Sequence, residues 1–297
     1  MKVGQVGNVR VNTVIKFRPH LLTVLSHQIQ RSRGKRGFRA YGQRQSLIRV
    51  QNDYRTTEKT WITIDESENW CIVNDGTNSP TIVMGMSGKP AELLEVEYVI
   101  RDRIPVIKRF TGGGTVIVDQ GTIFVTFICN RIDVPGVQPY PQPIMSWSGL
   151  LYDEVFQEIG DFHLRENDYV FGNRKFGGNA QSITKNRWIH HTSFLWDYET
   201  KNMAYLKQPR RIPTYRSERN HLEFICRMKE YMPRSAFIEK TLSSVGSRFL
   251  VEPTNLEAIG AHSGTAFTHS TSLLTKQELE AALGSQPLNL PLDVLES

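Results

Sequence analysis

The chain is poor in cysteine and has no apolar run long enough to cross a membrane. Its three cysteines, Cys71, Cys129 and Cys226, show no CxxC spacing. That excludes a disulfide framework and a zinc knuckle, and it fits a reducing compartment. The longest apolar stretch, around residues 123–129, is strand-sized and far short of the ~20 residues a membrane helix needs. No internal repeat is visible. The 39% hydrophobic and 22% charged fractions of the 297 residues exclude collagen-like, coiled-coil and wholly disordered classes.

Acidic residues are missing altogether from residues 1–52, which carry eleven Lys and Arg. The net charge of +6 over the whole chain therefore misleads. The remaining 245 residues hold 25 basic and 30 acidic side chains, a net of −5. A basic chain suggests a nucleic-acid partner, but here the basic part is one terminal segment with no aromatic-rich fold beside it. Residues 1–64 read as a disordered or presequence-like extension, with a nucleic-acid arm as the lesser alternative. No nucleic-acid partner is expected, and the compartment is mitochondrion or cytoplasm.

From about Asp65 the pattern is that of a folded domain, expected over residues 65–250, with a tail containing one helix over 251–297. Short β-branched runs at 70–73 and 81–85 flank a turn cluster. The spacing predicts helices over 93–102, 144–159, 199–206, 233–245 and 275–283. It predicts strands over 105–110, 115–118, 122–130, 162–171, 175–183 and 188–196, with 115–118 and 122–130 paired around Asp119-Gln120-Gly121. Strands grouped together with helices between the groups argue for α+β.

Four segments could carry chemistry. In KRFTGGGTV, Gly112, Gly113 and Gly114 let backbone N–H groups approach an anion, and Arg109 adds a bidentate cation. Neither a Walker A ending nor a following helix accompanies them, so a glycine-rich hairpin with a surface Arg competes closely. In NRKFGGNAQ, Lys175 sits on a strand beside two glycines and Ala180, with a solvent-facing lysine as the bland alternative. His190 and His191 are adjacent and so point to opposite faces of a strand, which disfavours a shared metal. Residues 209–224, PRRIPTYRSERNHLEF, form a basic, proline-punctuated loop able to close over a site.

The ordered combination RFTGGGTVIVD, END, RKFGGNAQ, RWIHHTSFL and P-x3-P-x-YR-x2-R-x-H-x2-F, spanning residues 70–228, resembles the lipoate–protein ligase A family, its plant-type branch in particular. The resemblance implies a class II synthetase and biotin ligase-like fold, a mixed, mainly antiparallel sheet flanked by helices. It implies activation of lipoate with Mg2+ and ATP to lipoyl-AMP, then transfer to a lysine of an apo lipoyl domain. Carriers in the family are 2-oxoacid dehydrogenase complexes and the glycine-cleavage H protein, and octanoate is an alternative acid. By motif match, Arg109 would approach substrate carboxylate or phosphate, and Lys175 would bridge the acyl carboxyl and the adenylate phosphate. Thr111 stands for the usual serine; Gly112, Gly113, Gly114, Gly178 and Ala180 would leave room for ligand. Asp168 would lie near the nucleotide and its magnesium, and His191 matches the second histidine of its segment.

Two alternatives accompany this reading. A cysteine-dependent octanoyl or lipoyl transferase would need a thiolate, yet residues 162–174, ahead of Lys175, contain no cysteine. A catalytically idle lipoate- or carrier-binding protein is motivated by three departures from the family. Val118 replaces a histidine, the stretch before Trp70 does not resemble the family's opening strand and helix, and too few residues follow Met228 for an accessory domain.

Overall fold

The computed structural model describes residues 13–19, 68–209, 212–254 and 271–284. Within them the long β-branched and aromatic run β6 (Thr122–Asn130) is the axis of an eight-stranded sheet. It is buried along eight of its nine positions, the signature of a strand covered on both faces. β6 pairs with β2 (Asn69–Asp75) on one side and β10 (Arg187–Leu195) on the other. Outside β2 lie β1 (Thr13–Pro19) and then β11 (Phe249–Thr254). Outside β10 lie β9 (Arg174–Ile183), β8 (Asp168–Phe171) and β7 (Phe162–Arg165), and every neighbouring pair is antiparallel.

A smaller sheet orders β12 (Ser272–Leu273), β4 (Val106–Lys108), β3 (Thr81–Met84) and β5 (Val116–Val118), with only β3 and β4 parallel. The helices are α1 (Pro90–Leu93), α2 (Val96–Arg101), α3 (Pro141–Val155), α4 (His221–Phe224), α5 (Arg234–Arg248) and α6 (Lys276–Gly284). The α+β expectation and the mainly antiparallel sheet hold.

The two faces of the large sheet do different work. Alternate side chains of β6, β9 and β10 (Phe127, Phe176, Trp188, Phe194) point toward α3 and α5, where Tyr152, Phe156 and Phe237 meet them in an aromatic core. Full burial of each such ring contributes about 2–3 kcal/mol. The intervening residues Phe124 and Thr126 of β6 and His191 and Ser193 of β10 lie on the opposite face. There Phe124 packs against Val83, Ile107 and Val118 of the small sheet. The site lies on this second face, between the sheets.

Several expectations are corrected. Residues 13–19 are not part of a disordered extension: β1 is an interior strand between β11 and β2, so the sheet does have a strand ahead of Trp70, and the rest of 1–64 lies outside the described residues. The tail after residue 250 contributes strands as well as its helix. β5 and β6 do not pair. Asp119 accepts from Gly121 N at 2.8 Å, and its other oxygen accepts from Glu199 N and Asn202 Nδ2 at 3.1 and 2.9 Å. The turn is thus tied to another segment, and the two strands diverge into different sheets. The 93–102 helix is interrupted at Leu94, whose extended backbone bridges Leu206. Residues 200–205 form a 3-10 helix, and 162–171 is a hairpin, β7–β8, turning at Glu166 with φ of 51°.

Candidate active site

The glycine segment follows β4. Arg109 N donates to Met84 O at 2.9 Å, which registers the segment against β3. Arg109 is 5% exposed, and its guanidinium turns back on its own loop. Its Nε donates to Thr111 Oγ1 at 2.9 Å, and one terminal nitrogen donates to the carbonyls of Gly112 and Gly114, both at 2.9 Å. Arg109 is thus a clamp on the loop, with its planar fork matched to divergent acceptors. Gly113 has φ of +107°, and a Cβ there would meet Arg109 Nη2 at 2.7 Å. Gly85, unremarked in the sequence, is required by packing: a Cβ would lie 2.2 Å from Gly113 O.

Lys175 projects from β9 to within 2.7 Å of Asp168 on β8, forming an ion pair. Gly178 lies against its amine; a Cβ there would lie 3.0 Å from Lys175 Nζ, a tight contact that would push the amine aside. Asp168 Oδ2 accepts from the Tyr215 hydroxyl at 2.8 Å. Burial, then the neighbouring carboxylate, holds that phenol protonated far above its ordinary range. The basic loop is therefore anchored over the pair. Thr214 N donates to Glu166 Oε1 at 2.7 Å, and Arg219 donates to the carbonyl of Asn173 at 2.9 Å. Tyr215 was contained in the sequence motif, but nothing in the pattern distinguished it from its neighbours.

Both histidines of β10 are buried, on opposite faces as expected. His191 meets Thr126 Oγ1 at 2.8 Å and stacks on Phe124. Burial first, then Arg109, pushes its pKa well down. His190 lies on the helix side in an ordered chain. Gln181 Nε2 donates to its Nδ1 at 3.1 Å, so its Nε2–H donates to the Tyr169 hydroxyl at 3.0 Å. Tyr169 donates to Ser148 Oγ at 2.7 Å, and Ser148 donates to Met145 O. Burial lowers the His190 pKa to about 3 from the ordinary 6.5. The folded-state value is depressed, so its contribution to stability is present above pH 6.5 and is lost as pH falls toward 3. We expect thermal stability to decline through this window with a slope approaching about 1.4 kcal/mol per pH unit from this residue. Melting curves from pH 7 to 4 check this: His190→Gln should flatten the profile, and an unchanged slope would rule His190 out as its source.

Two cavities meet at Lys175. One is a cleft of about 700 Å³ lined by Arg109, Gly112, Gly113, Gly114, Asp168, Lys175, Gly178, Ala180 and His191, among others. The second, about 280 Å³, is walled largely by apolar side chains including Leu93, Val118, Leu195, Met203, Leu206 and Phe224; Lys175, Asp168 and Gly178 line it too. Thr115 lines both cavities, and its hydroxyl is buried without a hydrogen-bond partner among the described residues. Of the sequence-predicted residues only Thr111 is absent from the walls; its hydroxyl is used by Arg109. Val118 packs in the apolar cluster between the sheets while lining the smaller chamber.

Asp168 is engaged on both sides and keeps spare lone pairs on each oxygen. One oxygen pairs with Lys175 and the other accepts from Tyr215. Among the described residues no three His, Cys, Asp or Glu side chains gather to hold an ion. No cysteine lines either cavity, all three are buried, and burial raises each thiol, Cys226 to about 11. Among the described residues no helix is long and apolar enough to cross a membrane.

Fold and site together define the class: an α+β domain whose mainly antiparallel sheet carries a glycine-lined cleft built around a lysine–aspartate pair. The chain belongs to the lipoyl protein ligase A/B catalytic domain family, whose model matches residues 53–250. It is 29% identical over 251 residues to the inactive lipoate–protein ligase 2 of Plasmodium falciparum, covering 68% of this chain and 64% of that one. It is 30% identical over 122 residues to a lipoate–protein ligase of Bacillus subtilis, covering 40% and 35% of the two chains. Its fold resembles a bipartite lipoate protein ligase of Thermoplasma acidophilum, with a TM-score of 0.55 and 15% identity, over 80% of this chain and 89% of that one. The chain spans less than two thirds of the length of the curated relatives it matches.

Proposed function

We propose that this chain is the catalytic unit of an ATP-dependent lipoate–protein ligase. The observation that carries this reading is Lys175, held by Asp168 where a glycine-lined cleft opens onto an apolar chamber. An aliphatic acid in the chamber would bring its carboxylate to the junction, with the nucleotide in the larger cleft. In the first step a carboxylate oxygen attacks the α-phosphorus of ATP, and the bond to pyrophosphate breaks. In the second, a carrier lysine ε-amine attacks the acyl carbon, AMP leaves and the amine gives up a proton. Both steps join or separate negative groups, so one fixed cation at the junction lowers both barriers. The glycine loop offers backbone N–H groups and Thr115 an unsatisfied hydroxyl to the same ligand. Magnesium would arrive with the nucleotide's phosphates.

The two engaged oxygens of Asp168 support a role in orienting Lys175. The buried, unreactive thiols weigh against a cysteine-dependent transferase. Carriers of the proposed reaction are apo lipoyl domains of 2-oxoacid dehydrogenase complexes or glycine-cleavage H protein, and the acid is lipoate or octanoate. The test incubates the chain with lipoate, Mg2+, ATP and an apo lipoyl domain. Pyrophosphate release and a mass increase on the carrier lysine are expected, both retained in Cys226→Ser. Lipoate binding without pyrophosphate release would instead favour an idle binding protein, for which Val118 in place of the family's histidine is the motivating residue.

A further inference from the structure

Tyr215 anchors the basic loop to Asp168, and two neighbours from the same motif, Arg216 and His221, line the apolar chamber. Arg216 is 4% exposed, yet its hydrogen-bond partners among the described residues are neutral. Nε donates to Arg219 O at 3.0 Å, and Nη2 donates to His221 Nδ1 at 3.5 Å. The guanidinium also lies over the Phe224 ring, with Cζ 4.7 Å from the centroid. Burial, then Arg216, pushes the His221 pKa down, so the imidazole is neutral and leaves the charge uncompensated. Nη1 donates to no protein atom among the described residues. A buried arginine ordinarily has an anion beside it.

The chamber walls repeat this imbalance. They carry three cations, Lys175, Lys207 and Arg216, against one acid, Asp168. Asp168 is close enough to act on Arg216, but its hydrogen-bond partners are Lys175 and Tyr215. The Lys207 ammonium donates to Ala91 O at 3.0 Å.

The backbone holds Arg216 inward at a cost. Ser217, which follows it, has φ of 55° and ψ of −141°, a region largely reserved for glycine. Arg219 fastens the turn. Its Nε donates to Arg216 O at 3.0 Å, and its terminal nitrogens donate to Asn173 O and Tyr215 O at 2.9 and 2.7 Å. Strain of this kind persists where the surroundings over-determine it, and it gathers at ligand clamps.

We propose that Arg216, backed by His221, is a second oxyanion subsite of the chamber, taking a carboxylate or phosphoryl oxygen of the bound ligand alongside Lys175. The proposal deepens the ligase reading above, which supplies the two ligands to be tested. The uncommitted Nη1 and the planar fork suit either group.

The test measures equilibrium binding of lipoate, its neutral amide, ATP and adenosine to the full chain and to Arg216→Gln. Loss of lipoate affinity by about tenfold or more, with the amide unmoved, assigns a carboxylate to the subsite. The same loss for ATP, with adenosine unmoved, assigns a phosphoryl group. Arg216→Lys should recover part of either loss, because the charge remains. On the native chain, whatever the folding of the variants, the Arg216 guanidinium NMR signal should shift with the charged member of a pair and not with the neutral one. Three outcomes would overturn the proposal: equal weakening of charged and neutral probes, anion binding unchanged in Arg216→Gln, or no shift of the native signal. Absence of pyrophosphate release would count against the ligase reading alone, because none of these measurements requires turnover.

Discussion

Lys175→Ala is expected to abolish pyrophosphate release and carrier acylation together, each by at least about 10³-fold, or roughly 4 kcal/mol of transition-state stabilisation. The amine is the cation shared by both cavities, and its position is determined three times over. Asp168 pairs with it at 2.7 Å, Tyr215 fixes Asp168 at 2.8 Å, and Gly178 lies against it with no side chain to push it aside. A preorganised charge of this kind costs no reorganisation when negative charge develops beside it, which is why one residue serves both steps. Lys175→Arg should fail nearly as completely, because the wider guanidinium meets the backbone at Gly178. The lysine side chain is 24% accessible but that of Asp168 only 9%, so loss of the amine leaves a buried carboxylate held by Tyr215 and should cost the fold about 1–3 kcal/mol. Pyrophosphate release, carrier mass and a melting curve on the same preparations check this. Substantial residual adenylation would remove Lys175 from the mechanism.

The same residues explain how much was legible beforehand. RKFGGNAQ announced a lysine beside missing side chains, and the spacing in a strand put Lys175, Gly178 and Ala180 along one element. That local inference survives because strand geometry is local. What failed was non-local. Whether 115–118 pairs with 122–130 depends on Asp119, whose carboxylate reaches residues 199 and 202, eighty positions away in sequence. β1 was invisible because seven residues of ordinary β pattern sit inside an acid-free stretch whose composition argues for a tail. Gly85 could be assigned only once Gly113 was found across from it. The histidine pair gave a correct statement about faces and none about partners, because Ser148, Tyr169 and Gln181 come from three different elements.

Arg109→Ala is expected to lower the melting temperature by about 10 °C as well as to remove activity, and here the motif and the structure lead to different measurements. The motif suggests a cation aimed at substrate, whose loss would spare the fold. In the structure Arg109 is buried and its guanidinium holds Thr111, Gly112 and Gly114. Removing it leaves these acceptors without their donor in a confined space, at about 3 kcal/mol or more. At about 2–4 °C per kcal/mol for a domain of this size, that gives the shift stated. Arg109→Lys should restore little, because one ammonium on a flexible stem cannot reproduce the planar fork. Gly113→Ala supplies the complementary case. With φ of +107° and Arg109 Nη2 2.7 Å from the added Cβ, it should disorder the loop while the arginine is still present. A melting temperature unchanged in Arg109→Ala, with activity lost, would return the residue to the substrate-facing role that the motif implies.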